Sequence, residues 1–299
     1  MKPGEHLYKF LNRPTTSLSP SGGREFMYIS EERVKELIKR YPNVMSFWES
    51  NNVNYKINNK GFRSDFNFYP NKSLKVDIYL GCSITFGQEH IWENTWPYLV
   101  SKKTGNIIIN LAIPGTGIER GFFDLAKYID YYDVQNVFHF QPFYARYMYM
   151  SRHPSNCSHG EFLYYDSTIL AQEEDFCLLP WKKPYIFDVM MNDDYLCYTY
   201  YQSINALYGL CSSKRIPYYF FTNQKKAFPK DCVLVYNENK DIYYWMDQIE
   251  DSSRIPARDL LHPSAAFMKV LSDHFIRLKQ EHPSGFIPKF EDLVTKSIV

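Results

Sequence analysis

The chain has 299 residues, of which 45% are hydrophobic and 22% are charged, an ordinary balance for a folded globular protein. Its 34 Lys and Arg side chains nearly cancel 33 Asp and Glu, so we expect no surface for nucleic acid. No apolar run is long enough to span a membrane, the first residues lack the apolar core of a secretory signal, and six cysteines are too few for a disulfide scaffold. These features predict a cytoplasmic protein with reduced thiols.

The first 70 residues are predicted to form an N-terminal extension. A loop rich in Ser, Thr, Pro and Gly at 15–23 precedes a segment from Ser30 with apolar residues at helical spacing. Residues 54–68 alternate around a glycine turn, which predicts a β-hairpin. Arg63 in this hairpin follows an apolar anchor, and we expect it to make a buried ion pair or carbonyl contacts.

Apolar strands alternate with helices over the main domain, which we place at 71–281. The predicted strands are 76–80, 107–112, 136–140 and 217–221, and the predicted helices are 94–103, 117–131, 194–214 and 263–279. An aromatic, irregular insertion is expected at 144–192, and a tail at 282–299. The alternation predicts an α/β fold: a three-layer α/β/α sandwich with a mainly parallel sheet of about five strands.

Polar residues follow several of the predicted strands, at the edge where open parallel sheets bind ligands. A serine hydroxyl becomes nucleophilic when a neighbouring base takes its proton, and a neutral histidine can be that base. An aspartate beside the histidine can orient the imidazole. His139 lies within a strand and is predicted to be a hydrogen-bonded core residue instead. The candidate site residues are Ser83, Gly115, Gln141, Arg146, Asp259 and His262.

Three short blocks stand in order along the main domain. They are Gly81-Cys82-Ser83 followed by Thr85-Phe86-Gly87, then Asn110 leading to Gly115, and last Asp259-Leu260-Leu261-His262. Together they resemble the SGNH hydrolases, also called the GDSL-like lipase/esterase family. Asn58-Asn59-Lys60-Gly61-Phe62-Arg63 is similar to a segment that many bacterial members carry before the first strand. The resemblance covers roughly residues 56–280.

The resemblance implies a flavodoxin-like SGNH fold and a serine esterase that needs no metal or other cofactor. Its substrate would be an O-acyl ester, for example an acetyl group on a carbohydrate, and an acyl-serine would form. Ser83 would be the nucleophile, His262 the base and Asp259 the orienting carboxylate. The backbone N–H groups of Ser83 and Gly115 would bind the oxyanion.

Two positions depart from the pattern of this family. Cys82 stands where the family usually has Asp, and this residue is not the nucleophile. The family's third block, a Gly-x-Asn whose amide donates to the oxyanion, has no counterpart after the third strand. Gln141 is the first candidate for the missing donor and Arg146 is the second.

Other functions remain open on the sequence. The same acyl-serine could pass its acyl group to a sugar hydroxyl, which would make the chain an O-acyltransferase. The missing third block favours a catalytically silent module of a larger assembly, for example a virion. Ser83 could cap a helix instead of attacking an ester. A zinc site at His153, Cys157 and His159 lacks the matching second pair of ligands.

Overall fold

A computed structural model describes residues 31–114, 116–141, 146–151, 161–166, 193–222, 257–258 and 262–286. The described helices are α1 (Glu31–Arg40), α2 (Pro42–Met45), α3 (Ser83–Phe86), α4 (Trp96–Thr104), α5 (Ile118–Tyr128), α6 (Asp193–Ser213) and α7 (Ala265–Glu281), with 3-10 turns at Ser46–Glu49 and Trp92–Asn94. The described strands are β1 (Asn71–Gly81), β2 (Ile107–Asn110), β3 (Tyr132–Phe140), β4 (Arg146–Ser151), β5 (Glu161–Asp166) and β6 (Tyr218–Phe221).

A parallel sheet with the strand order β2-β1-β3-β6 forms the centre of the molecule. Ile78 of β1 lies opposite Ile109 on one side and Val137 on the other, and all pairings within this sheet are parallel. The later residues of β1 and β3 are continuously buried, which explains why these strands read as apolar runs in the sequence. The predicted parallel sheet is confirmed, with four strands in the described ranges where about five were expected.

Helices cover both faces of this sheet and complete three layers. On one face, Leu80 and Phe220 pack against apolar residues of α5 and α6. On the other face, Tyr79 stacks on Phe138 with ring centroids 5.5 Å apart, and Trp96 of α4 stacks on Phe275 of α7 at 4.7 Å. Because the strands alternate their side chains between the two faces, each face has its own buried cluster. The predicted α/β/α arrangement is therefore confirmed.

Two local predictions need correction. Residues 54–68 form a single antiparallel bridge between Ile57 and Arg63 instead of a two-stranded hairpin. Asn58 closes that turn, because its Oδ1 accepts hydrogen bonds from two backbone N–H groups of the turn at 2.9 and 3.0 Å. The insertion predicted as irregular contains β4 and β5, which pair antiparallel. Both strands are rich in Tyr and other residues that favour strands, and this preference decides their local structure.

Candidate active site

Ser83 is the first residue of α3, directly beyond the carboxyl end of β1. Gly81 makes the turn between them: its φ is 145°, and a Cβ there would lie 2.3 Å from the carbonyl oxygen of Phe140. Cys82 holds the N-cap position and no side-chain hydrogen bond caps α3, so capping does not account for the serine. The Ser83 Oγ donates to Cys82 Sγ at 3.9 Å, and 7% of the serine is exposed.

Residues 83–90, the serine loop, are fixed by a buried arginine from the N-terminal part of the chain. Arg63 donates to the carbonyl oxygens of Gly87 at 2.6 Å and His90 at 2.9 Å, which confirms the predicted carbonyl contacts. Its Cζ lies 4.7 Å from the ring centroid of Tyr55 and 5.2 Å from that of Trp92, within range of cation–π attraction. This arginine therefore ties the N-terminal segment to the loop that begins with the candidate nucleophile.

Glu89 joins the serine loop to the histidine segment, residues 258–263, of which the structure describes 258, 262 and 263. Its Oε2 accepts from Nε of Arg258 at 2.7 Å, and its carbonyl oxygen accepts from the backbone N–H of Arg258 at 3.1 Å. Both side chains are almost fully buried, with 0% and 3% exposed. Tyr55 donates its hydroxyl proton to the other carboxylate oxygen at 3.2 Å and accepts from the Glu89 N–H at 2.8 Å. The serine loop and the histidine segment are thus joined by both the side chain and the backbone of Glu89.

His90 makes the second connection between the same two segments. Its Nε2 hydrogen-bonds the carbonyl oxygen of Pro263, the residue directly after His262. Because a carbonyl can only accept, the Nε2 of His90 carries the proton. His262 itself is half-buried and precedes α7, whose first turn is capped by the hydroxyl of Ser264. The structure therefore brings Pro263, the neighbour of His262, against the end of the loop that begins at Ser83.

The second block lies beside the serine loop at the end of β2. Asn110 donates to the carbonyl oxygen of Thr85 at 3.0 Å and accepts from the N–H of Ala112 at 3.0 Å. The side chain of Gln141 donates to the carbonyl oxygen of Thr116 at 3.2 Å, and only 1% of this glutamine is exposed. Asn110 and Gln141 therefore hold the two ends of the connection in which Gly115 lies.

Several predicted site residues fall where the structure gives little or no description. Gly115 and Asp259 lie outside the described residues, as do the cysteine and histidines of the alternative zinc site. Arg146 is the first residue of β4, and its side chain is not described. Within the described ranges, no cluster of three or more His, Cys, Asp and Glu side chains could hold a metal ion. The same ranges contain no helix long and apolar enough to cross a membrane.

The sequence reasoning missed the two residues that join the serine loop to the histidine segment. Glu89 and His90 follow the Thr-x-Gly motif in a loop, where charged and polar residues are normally solvated. Glu89 also adopts a φ of 58°, a left-handed conformation that glycine favours over glutamate. No local pattern signals either feature, because the partners described above lie 27 or more positions away in the sequence.

The buried histidine of β3 behaves as the sequence predicted. Nδ1 of His139 hydrogen-bonds the hydroxyl of Tyr218 at 2.8 Å, and no part of the residue is exposed. Burial lowers the pKa of His139 to about 3, against the opposing effect of a hydrogen bond with Gln141. This histidine is therefore neutral at ordinary pH and belongs to the core.

A polar pocket lies between the N-terminal segment and the 3-10 turn after the serine loop. Its volume is about 240 Å³. Lys56 and Asp65 form an ion pair at 3.1 Å between largely exposed side chains, so their charges cancel at the rim. The lining residues are Asn52, Asn54, Lys56, Arg63, Ser64, Asp65, Ile91, Trp92 and Glu93. The pocket therefore offers amide groups, one hydroxyl, charged side chains and an aromatic ring.

No family model matches the chain, and no curated protein matches it. One similar solved structure is that of a proposed lipolytic protein of the G-D-S-L family from Desulfitobacterium hafniense DCB-2. It is 13% identical, with a TM-score of 0.33, and the match covers 68% of this chain and 98% of that one.

Proposed function

We propose that this chain is a serine esterase that hydrolyses an O-acyl ester through an acyl-serine intermediate. The observation that carries the proposal is the pair of contacts from Glu89 and His90 to the histidine segment. These contacts join Arg258 and Pro263, on either side of His262 in the chain, to the loop that begins at Ser83 beyond the carboxyl end of β1, and we propose that Ser83 and His262 meet there. The carboxyl edge is the one at which parallel sheets bind their ligands.

In the proposed reaction, Ser83 Oγ attacks the ester carbonyl while its proton passes to His262. The tetrahedral intermediate collapses as the C–O bond breaks, and the imidazolium returns the proton to the departing alkoxide. Water then attacks the acyl-serine with the same histidine as base, which releases the acid and restores the serine. Asp259 would orient the imidazole and stabilise its protonated form.

The oxyanion would be held by the backbone N–H groups of Ser83 and Gly115. Gln141 was the first candidate for a third donor, and its amide donates to the carbonyl oxygen of Thr116. We therefore propose that Gln141 holds the connection between β2 and α5, in which Gly115 lies. Arg146 is then the remaining candidate for the third oxyanion donor. Loss of one oxyanion donor lowers turnover by about 10²–10³-fold. Gln141 would therefore affect the rate through the position of the Gly115 N–H.

The polar pocket supports a carbohydrate as the alcohol part of the substrate. Its amide groups can hydrogen-bond sugar hydroxyls, and the Trp92 ring can pack against the face of a sugar ring. We expect Trp92→Ala to raise the KM for an acetylated methyl glucoside while leaving the KM for p-nitrophenyl acetate unchanged. Tyr69→Ala, at an aromatic residue that is 62% exposed, is the matched control and should leave both values unchanged. An equal effect of Trp92→Ala on both esters would contradict this role.

A fluorophosphonate probe tests the esterase proposal directly, because it reacts with activated serines. We expect labelling of the full chain at Ser83, located by peptide mass spectrometry, and loss of labelling in Ser83→Ala. No labelling of the folded wild type would favour the catalytically silent module, which is consistent with the low exposure of this serine. Faster release from an acyl donor when sugar is added, with acylated sugar as product, would favour the transferase.

A further inference from the structure

Glu89 and His90 are adjacent in the serine loop, and each contacts one end of the histidine segment. Arg258 begins that segment and Pro263 ends it. We infer that Glu89 and His90 are positioning residues. They hold the backbone beside His262 so that its imidazole stays within reach of the serine hydroxyl. Their role in the reaction rests on the proposed esterase function, whereas the anchoring itself does not.

The polar groups of Glu89 are held by hydrogen bonds to its neighbours. Its N–H, its carbonyl oxygen and both carboxylate oxygens have partners on Tyr55 or Arg258 at 2.7 to 3.2 Å. Its left-handed backbone conformation is one that a non-glycine residue keeps only where the surrounding structure enforces it. These neighbours therefore hold both the side chain and the backbone of Glu89, and Arg258 is bound to both.

The histidine segment needs such anchors because it is a connection between elements. A shift of about 1 Å in a catalytic group can lower turnover by about 10²-fold. His262 is covalently bound to Pro263, so the hydrogen bond from His90 restrains the base through a single residue. Glu89 restrains the opposite end, and two fixed ends limit the rotation that one alone would permit.

The first test compares two buried ion pairs. Glu89→Gln keeps the shape of the side chain but removes the charge that Arg258 faces, and we expect kcat on p-nitrophenyl acetate to fall at least about tenfold with KM within about twofold. Asp124→Asn is the matched control, because Asp124 also forms a buried ion pair, with Arg120 inside α5. It should lower the melting temperature without lowering kcat per folded molecule. Equal effects of both variants on kcat would overturn the inference.

The second test uses His90 and includes a conservative rescue. His90→Leu removes the hydrogen-bond donor to Pro263, whereas His90→Gln retains an amide N–H in a similar place. We expect kcat to fall at least about tenfold in the leucine variant and to recover to within about threefold in the glutamine variant. Equal kcat in the wild type and the leucine variant would overturn the inference. This pair decides the question if Glu89→Gln does not fold.

Hydrogen exchange separates the inference from the esterase proposal. We expect backbone amides within 257–264 to exchange at least about tenfold faster in Glu89→Gln and His90→Leu than in Asp124→Asn. Faster exchange in a protein that the fluorophosphonate does not label would support the anchoring and contradict the esterase. Unchanged exchange and unchanged labelling rates in both variants would overturn the anchoring and leave the esterase standing.

Discussion

Both edges of the central sheet carry buried polar groups, but these groups connect different parts of the chain. At the amino-terminal edge, Asp77 accepts hydrogen bonds from Thr104, Asn106 and Asn136 at 2.6 to 3.0 Å. Thr104 ends α4, Asn106 directly precedes β2, and Asn136 lies within β3, so all three belong to elements that already neighbour β1. At the carboxyl edge, Glu89 binds Arg258, far along the chain. The first arrangement closes the sheet locally, and the second fixes loops relative to one another.

The two edges should therefore differ in what their polar groups contribute, stability at one and catalysis at the other. A polar cluster that closes the end of a sheet satisfies groups that burial would otherwise leave without hydrogen bonds. A cluster that fixes two loops also sets the geometry of whatever those loops carry, and catalysis depends on that geometry. Changes at the carboxyl edge should therefore alter turnover per folded molecule, whereas changes at the amino-terminal edge should alter only the folded fraction.

The largest expected effect is loss of activity at the carboxyl edge. Ser83→Ala and His262→Ala should each lower ester turnover by at least about 10³-fold, and the double variant should be little slower than either, because the two groups act as a unit. Steady-state kinetics on p-nitrophenyl acetate measure this, and circular dichroism checks that each variant folds. Losses that multiply in the double variant would show that the two residues do not cooperate.

A smaller effect, on stability alone, is expected at the amino-terminal edge. Asp77→Asn places an amide N–H group against three donors, and we expect the free energy of unfolding to fall by about 2 kcal/mol. Urea denaturation measures the loss. Turnover per folded molecule should equal that of the wild type, and a fall in this quantity would break the distinction between the two edges.

The sequence predicted the elements and the arrangement of the sheet because both depend on local patterns. Apolar runs identified β1 and β3, and the glycine and serine after β1 identified a turn at the ligand-binding edge. The anchoring by Glu89 and His90 depends on contacts with residues at the opposite end of the chain, which no local pattern encodes. The antiparallel pair β4 and β5 was missed because its tyrosine-rich strands lack clear alternation.

A change in Gln141 should lower turnover without acting on the nucleophile or the base. Gln141→Ala removes the hydrogen bond to the Thr116 carbonyl, and we expect turnover to fall about tenfold because the connection that carries Gly115 loses its support. Gln135→Ala is the matched control, since the side chain of Gln135 makes an exposed contact with a backbone carbonyl. Equal turnover in the Gln141 variant and the wild type would show that this connection does not need the glutamine.

The smallest effect is a pH dependence of stability that arises inside the sheet. Burial lowers the pKa of His139 to about 3 in the folded state, whereas an unfolded histidine has a pKa of about 6.5. Between these values the unfolded state binds the extra proton, so the stabilisation is complete above pH 6.5 and is lost as the pH falls towards 3. We expect this residue to lower the free energy of unfolding by about 1 kcal/mol between pH 7 and 5.5.

Comparison with a variant that does not titrate isolates this contribution. His139→Asn keeps a polar group near the Tyr218 hydroxyl, and its unfolding free energy should fall less between pH 7 and 5.5 than that of the wild type. Burial also lowers the pKa of His274 to about 4, so His274→Gln should reduce the same slope and serves as a second reference. An identical slope in His139→Asn and the wild type would mean that His139 binds its proton over the same pH range in the folded and unfolded states. β3 would then bury a charge at pH 5.5, and burial would not explain the neutral His139 of the sheet interior.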